Sequence, residues 1–211
     1  MIDNYFFVDG SSLLAELKKV RRSPDIPTNS KFSLVQLASY LTGPRFDGFH
    51  ARQWRRFVYY FVQDDENLRA AVKLPDFAQP GSVSDMSIEY CGRRIRSFEQ
   101  ARDWSEKNGA PEHVKECLYR SEKAVDTRIC CDALELRALG KLDRLFLYTN
   151  DYDFVPLCTS LKRMGTNVNL FRLRQDLVNT DLAKVCDAFH VVDEVSLVAM
   201  FEKEPEAQTG N

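Results

Sequence analysis

The chain has no C-x-x-C pair, and its six cysteines (91, 117, 130, 131, 158 and 186) stand apart from its three histidines. That argues against a zinc site and for free thiols in a reducing compartment. No apolar run approaches the roughly 18 residues that a membrane span needs. The opening MIDNYFFVDG also lacks the basic flank of a secretory signal, so a soluble cytoplasmic protein without membrane contact is expected. Excess charge is missing too. With 29 Lys and Arg against 31 Asp and Glu, the formal net charge is -2, which excludes an overall basic coat for nucleic acid and leaves only local patches. There is no internal repeat and no low-complexity segment. His50, His113 and His190 are scattered, with no nucleophile pattern beside them, and are read as structural.

Apolar residues make up 44% of the 211, with 14 Phe, 8 Tyr and 2 Trp among them. A chain this hydrophobic is not disordered, and one of this length buries about 70% of its unfolded surface on folding. Residues 1–203 read as a single domain and 204–211 as a disordered tail. Tyr5 to Val8 is a short apolar run that stops at Asp9-Gly10-Ser11-Ser12, after which Leu13, Leu14 and Leu17 recur at helical spacing. Leu34 to Leu41 reads as a second helix. Phe57 to Val62 is apolar on both faces, as a central parallel strand covered by helices would be.

Residues 64–84 read as an irregular excursion, and Met86 to Arg96, interrupted by Cys91-Gly92, as a small hairpin. Helices are expected at 98–108, 124–139, 154–164 and 178–187, and strands at 145–148, 168–171 and 189–192. Such alternation implies an α/β domain, three layers deep, around a mostly parallel sheet.

In open parallel sheets the working crevice lies beyond the carboxyl ends of the strands. Asp9 follows the first strand, and Thr149-Asn150-Asp151-Tyr152-Asp153 follows another. Asp is a preferred N-cap, which accounts for one acid per turn. It does not account for both Asp151 and Asp153, because a single cap needs only one of them. On the helix from Ala124 to Leu139, Val125, Ile129 and Leu136 form a stripe whose remaining member is Asp132, with Asp126 on its flank. Acids beside a sheet-facing stripe are costly unless they pair, with Arg128 or Lys123 for instance, or bind a metal. Oxygen ligands drawn from Asp9, Asp126, Asp132, Asp151 and Asp153 suit Mg²⁺ or Mn²⁺. The matching chemistry is phosphodiester hydrolysis.

Three segments, Phe7-Val8-Asp9-Gly10-Ser11, Lys123-Ala124-Val125-Asp126 with Asp132 six residues on, and Thr149 through Leu157, together resemble the NYN domain, a branch of the PIN-like nuclease superfamily. The resemblance implies a Rossmann-like α/β/α fold. It also implies a metal-dependent ribonuclease with Asp9, Asp126, Asp151 and Asp153 as its acidic centre, and with Ser12, Lys123 and Asn150 beside the substrate. Ser12 stands where family members usually carry Asn, Ala124 where Gly is frequent, and Thr149-Asn150 where Ser-Gly precedes the acidic pair. None of these departures removes a carboxylate.

Arg outnumbers Lys by 18 to 11, in clusters that include Arg93, Arg94 and Arg96 next to Tyr90. Planar guanidinium forks match phosphate oxygens, and the tyrosine can stack on a base. RNA, single-stranded or structured, is therefore the expected partner, and homo-oligomerisation is compatible with the sequence. Two other classes compete. A haloacid-dehalogenase-like phosphatase would need its nucleophile where this chain has Phe7. A catalytically weak NYN-like module would bind nucleic acid or a protein without cutting.

Overall fold

A computed structural model of the chain describes residues 3–43, 54–62, 66–75, 85–94, 98–114, 122–174 and 180–203. In chain order the elements are β1 (Asn4–Asp9), α1 (Gly10–Val20), β2 (Ser30–Ser33), α2 (Leu34–Thr42), β3 (Trp54–Val62), α3 (Glu66–Ala71), β4 (Val72–Lys73), β5 (Met86–Arg94), α4 (Phe98–Lys107) and β6 (Glu122–Lys123). Then follow α5 (Val125–Ala138), β7 (Arg144–Tyr148), a 3-10 turn (Tyr152–Phe154), α6 (Val155–Arg163), β8 (Asn167–Arg172), α7 (Thr180–Val185), β9 (Ala188–Val191), α8 (Glu194–Ala199) and β10 (Phe201–Lys203).

The main sheet runs in the order β6-β5-β3-β1-β7-β8-β9. All neighbours are parallel except β6, which pairs antiparallel with the end of β5. Counting only the six parallel strands, the spatial order is third, second, first, fourth, fifth, sixth, which is the doubly wound Rossmann arrangement. Its order reverses between β1 and β7.

Apolar side chains cover both faces. Phe57, Tyr59 and Phe61 of β3 face Leu13 and Leu17 of α1 and Leu37 and Leu41 of α2. Val58, Tyr60 and Val62 face the opposite core, with Val125 and Ile129 of α5, Leu157 and Leu161 of α6 and Leu182 of α7. The run of apolar residues expected to form a two-sided strand does so, because helices lie on both sides of it.

Four readings of the sequence need correction or completion. Residues 86–94 form one strand, and among the described residues the expected hairpin is absent. In the β3–β5 ladder Phe61 pairs with Tyr90 and Val62 with Gly92, so Cys91 is an extra residue in a bulge and Cys91-Gly92 marks no turn. Residue 96, the end of that reading, lies outside the described residues. Part of the 64–84 excursion is regular, supplying α3 and β4. A second sheet of order β10-β2-β4 joins three strands of two to four residues, too short to show a period in sequence. Helix α8 also escaped notice, although Asp193 caps it by accepting from the Ser196 amide at 2.9 Å. Residues 204–211 lie outside the described residues, and so does the expectation of a disordered tail. Among the described residues no helix is long and apolar enough to cross a membrane.

Candidate active site at the sheet switch point

Asp9 ends β1 and caps α1, and it is almost completely buried. Its Oδ1 accepts from the Ser11 amide (3.0 Å), the Ser11 hydroxyl (2.8 Å) and the Ser12 amide (3.3 Å). Its Oδ2 accepts from the Ser12 hydroxyl at 2.6 Å and the Thr149 hydroxyl at 2.8 Å. Each hydroxyl has one proton and spends it on Asp9, so each oxygen is left to accept. Ser12 Oγ accepts the Asn150 amide (3.0 Å), and Thr149 Oγ1 accepts the Asp151 amide (3.1 Å). The ends of β1 and β7 are thus stitched together across the point where strand order reverses. Gly10 is required in this arrangement. A Cβ there would lie 2.2 Å from a Phe61 ring carbon and 2.5 Å from the Tyr60 carbonyl oxygen.

Asp151 follows β7 and its Oδ1 accepts the Asp153 amide at 2.9 Å, capping the 3-10 turn. The sequence anticipates a cap near Phe154; Asp151 provides it, and α6 itself has no side-chain cap. That leaves Asp153 an exposed carboxylate on the turn, free of any capping duty. A cleft of about 310 Å³ opens at this end of the sheet, and its lining includes Asp9, Ser12, Asn150 and Asp151 together with Glu16, Lys19 and Arg172.

The other acids lie on α5. Strand β6 pairs with residues 93–94 at the carboxyl end of β5, and α5 begins two residues later. Asp126 is therefore at the same end of the sheet, in the first turn of its helix, where a negative charge also complements the helix dipole. Asp132 is one turn or more further along, held by Arg128 Nε at 3.0 Å and by the Tyr60 hydroxyl, which donates to it at 3.0 Å. Burial and this carboxylate push the Tyr60 hydroxyl far above its ordinary pKa, so it remains a neutral donor. Neither α5 acid lines the cleft just described. Among the described residues no three His, Cys, Asp or Glu side chains are grouped so as to hold a metal ion. Arg93, Arg94 and Lys123 enter only through their backbone pairing, and Arg96 lies outside the described residues.

Ala124 joins β6 to α5 with φ of 83°, the left-handed region where a Cβ is strained. Replacing it with Gly removes that strain and is expected to stabilise the fold by about 1 kcal/mol, or roughly 2–4 °C in melting temperature. An unchanged or lowered melting temperature would show that the turn carries no such strain.

The sequence points to Arg172 only as a neighbour of Arg174 in one of the arginine clusters that could grip a phosphate, and it assigns no role to Thr149, Glu16 or Tyr148. Glu16 gave a signal, since it sits among Leu13, Leu17 and Val20 on the buried stripe of α1. In the structure its Oε2 accepts from the Tyr148 hydroxyl and from Arg172 Nη2 at 3.0 Å, and its Oε1 accepts the Arg174 amide at 2.9 Å. The Arg172 guanidinium also lies over the Tyr148 ring, 5.2 Å from its centroid. Burial raises the Glu16 carboxyl above its ordinary value, against the lowering effect of Arg172 and the Tyr148 hydroxyl.

The NYN domain family matches residues 7–193, most of the chain. The chain belongs to that family. The NYN fold described here is similar to a crystal structure of a Vibrio parahaemolyticus protein of unknown function, at TM-score 0.50 and 15% identity, covering 92% of this chain and 94% of that one. That likeness bears on the fold alone. No curated protein matches the chain.

Proposed function

We propose that this NYN domain is a metal-dependent endoribonuclease. The reading rests on one observation: Asp9 and Asp151 line a single cleft at the switch point of a doubly wound sheet. Their oxygens are hard donors, and Mg²⁺ typically takes only one or two carboxylates together with water and phosphate. The donor set therefore fits Mg²⁺ or Mn²⁺, with Asp9 and Asp151 as its holders and Asp126 and Asp153 as further acids of the centre. The chemistry that such an ion supplies when bound is charge neutralisation at the phosphate and a lowered pKa for water. Ser12 and Thr149 orient the Asp9 carboxylate by donating to its Oδ2. Lys19 and the arginines near residues 93–96 are the proposed contacts for the RNA backbone. Asp132, engaged by Arg128 and Tyr60, is left out of the centre.

The test is cleavage of single-stranded RNA in Mn²⁺, expected to stop in excess chelator and to resume when Mn²⁺ is restored. A specific observation favours the alternative of a non-cutting binding module: both Asp9 oxygens are already occupied by five donors, more than the roughly four lone-pair sites of a carboxylate. RNA retained on the protein with no cleavage in Mn²⁺ or Mg²⁺ would favour that module.

A further inference from the structure

Arg172, in the lining of the cleft, carries an unmet demand. Arg172 is 2% exposed, and of its nitrogens only Nη2 has a partner, Glu16. Nε and Nη1 are buried and find no acceptor among the described residues. These two nitrogens carry three of the five N–H donors of an arginine, and the side chain does not escape the problem by losing its charge. Glu16 does not supply the missing acceptors, because Oε2 already serves Tyr148 and Arg172 and Oε1 serves the Arg174 amide. The Tyr148 ring satisfies the face of the guanidinium and not its edge.

We propose that Arg172, with Lys19 in the same cleft lining, forms a phosphate subsite for the phosphodiester next to the one held at Asp9 and Asp151. The assignment rests on the nuclease reading for the identity of its ligand. Several features select a phosphate. A guanidinium edge with several free N–H groups matches a tetrahedral oxyanion better than a single carbonyl. Lys19 adds a second cation to the lining of the cleft. The cleft, at about 310 Å³, has room for a phosphate and its sugar. The cleft lining holds Asp9 and Asp151 together with Arg172 and Lys19, so a strand lying in it would meet the acidic centre at one phosphate and Arg172 at its neighbour. Glu16 tempers the arginine, and burial raises its carboxyl, so a neutral residue in its place is expected to strengthen the subsite.

The test uses inorganic phosphate at constant ionic strength, without divalent metal, and reads both the melting temperature and the Arg172 Nε–H resonance. For the unmodified protein, a saturable rise in melting temperature and a shift of that resonance are expected. Glu16→Gln is expected to bind phosphate about tenfold more tightly, a like charge having left the cleft. The double variant Glu16→Gln/Arg172→Met, which keeps an acceptor for Tyr148 and leaves no buried unpaired charge, is expected to lose the response. A dinucleoside monophosphate is expected to compete with phosphate. An undiminished response in the double variant, an unmoved Nε–H resonance, or a failure of the dinucleoside monophosphate to compete each overturns the subsite. Phosphate binding without any RNA cleavage overturns the nuclease reading and leaves the Arg172 anion site standing. Cleavage without a phosphate response does the reverse.

Discussion

Asp9→Asn is expected to lower RNA cleavage by about a thousandfold or more and to destabilise the protein by about 1–3 kcal/mol at the same time. The first figure follows from losing a carboxylate that would hold the charge-neutralising ion, an effect of several kcal/mol at roughly 1.4 kcal/mol per factor of ten. The second follows from counting protons. In the native protein the Ser12 and Thr149 hydroxyls both donate to Asp9 Oδ2. If the new amide nitrogen stands there, both hydroxyls must turn away. Their oxygens are 3.3 Å apart, so one can donate to the other. The second proton has no acceptor, and a buried donor left unmade costs about that much. Thermal melts with and without Mn²⁺, beside a cleavage assay, measure both halves. Full cleavage in the variant would remove Asp9 from the acidic centre, whereas an unchanged melt would mean that the donors around Asp9 find other acceptors, since either orientation of the amide sets its nitrogen against donors.

The same residue shows how far the sequence can be read. Asp9 was visible because an apolar run stops at it and a helix begins after it, and both facts are local. The two-sided strand at 57–62 was visible for a similar reason, since burial on both faces removes the period altogether. What could not be read was any property that needs two distant segments at once. Thr149 looks like a turn residue until β7 is laid beside β1, and only then does its hydroxyl meet Asp9, 140 positions away. Cys91-Gly92 looked like a turn because a bulge and a turn use the same small residues, and the difference lies in the β3 ladder. The pairing of Asp132 with Arg128 was legible, being one helical turn apart, but the donor from Tyr60 was not.

Arg172→Met is expected to cost about 3–5 kcal/mol at pH 8, a drop of roughly 6–20 °C in melting temperature, because it leaves the Glu16 carboxylate buried without its cation. The deficit should depend on pH, and its sign can be worked out. Glu16 has a folded-state pKa raised by burial, and Arg172 is the largest influence holding it down. Removing Arg172 raises it further. A carboxyl whose folded value lies above its unfolded value of 4.5 binds its proton more tightly in the native state. Its contribution to stability is therefore fullest below pH 4.5 and is lost as pH rises through the folded value. That loss extends further in the variant than in the native protein, so the difference between them is small near pH 4.5, widens as pH rises and then levels off. Adding Glu16→Gln to Arg172→Met should return part of the stability at pH 8, since the amide oxygen still accepts from the Tyr148 hydroxyl and no charge remains to be paired, while the amide nitrogen then faces the Arg174 amide. Denaturant titrations of the two single variants and the double at several pH values complete the cycle. A deficit that is the same at pH 4.5 and pH 8, or a double variant no more stable than Arg172→Met alone, would mean that the arginine contributes through packing and not through its charge on Glu16.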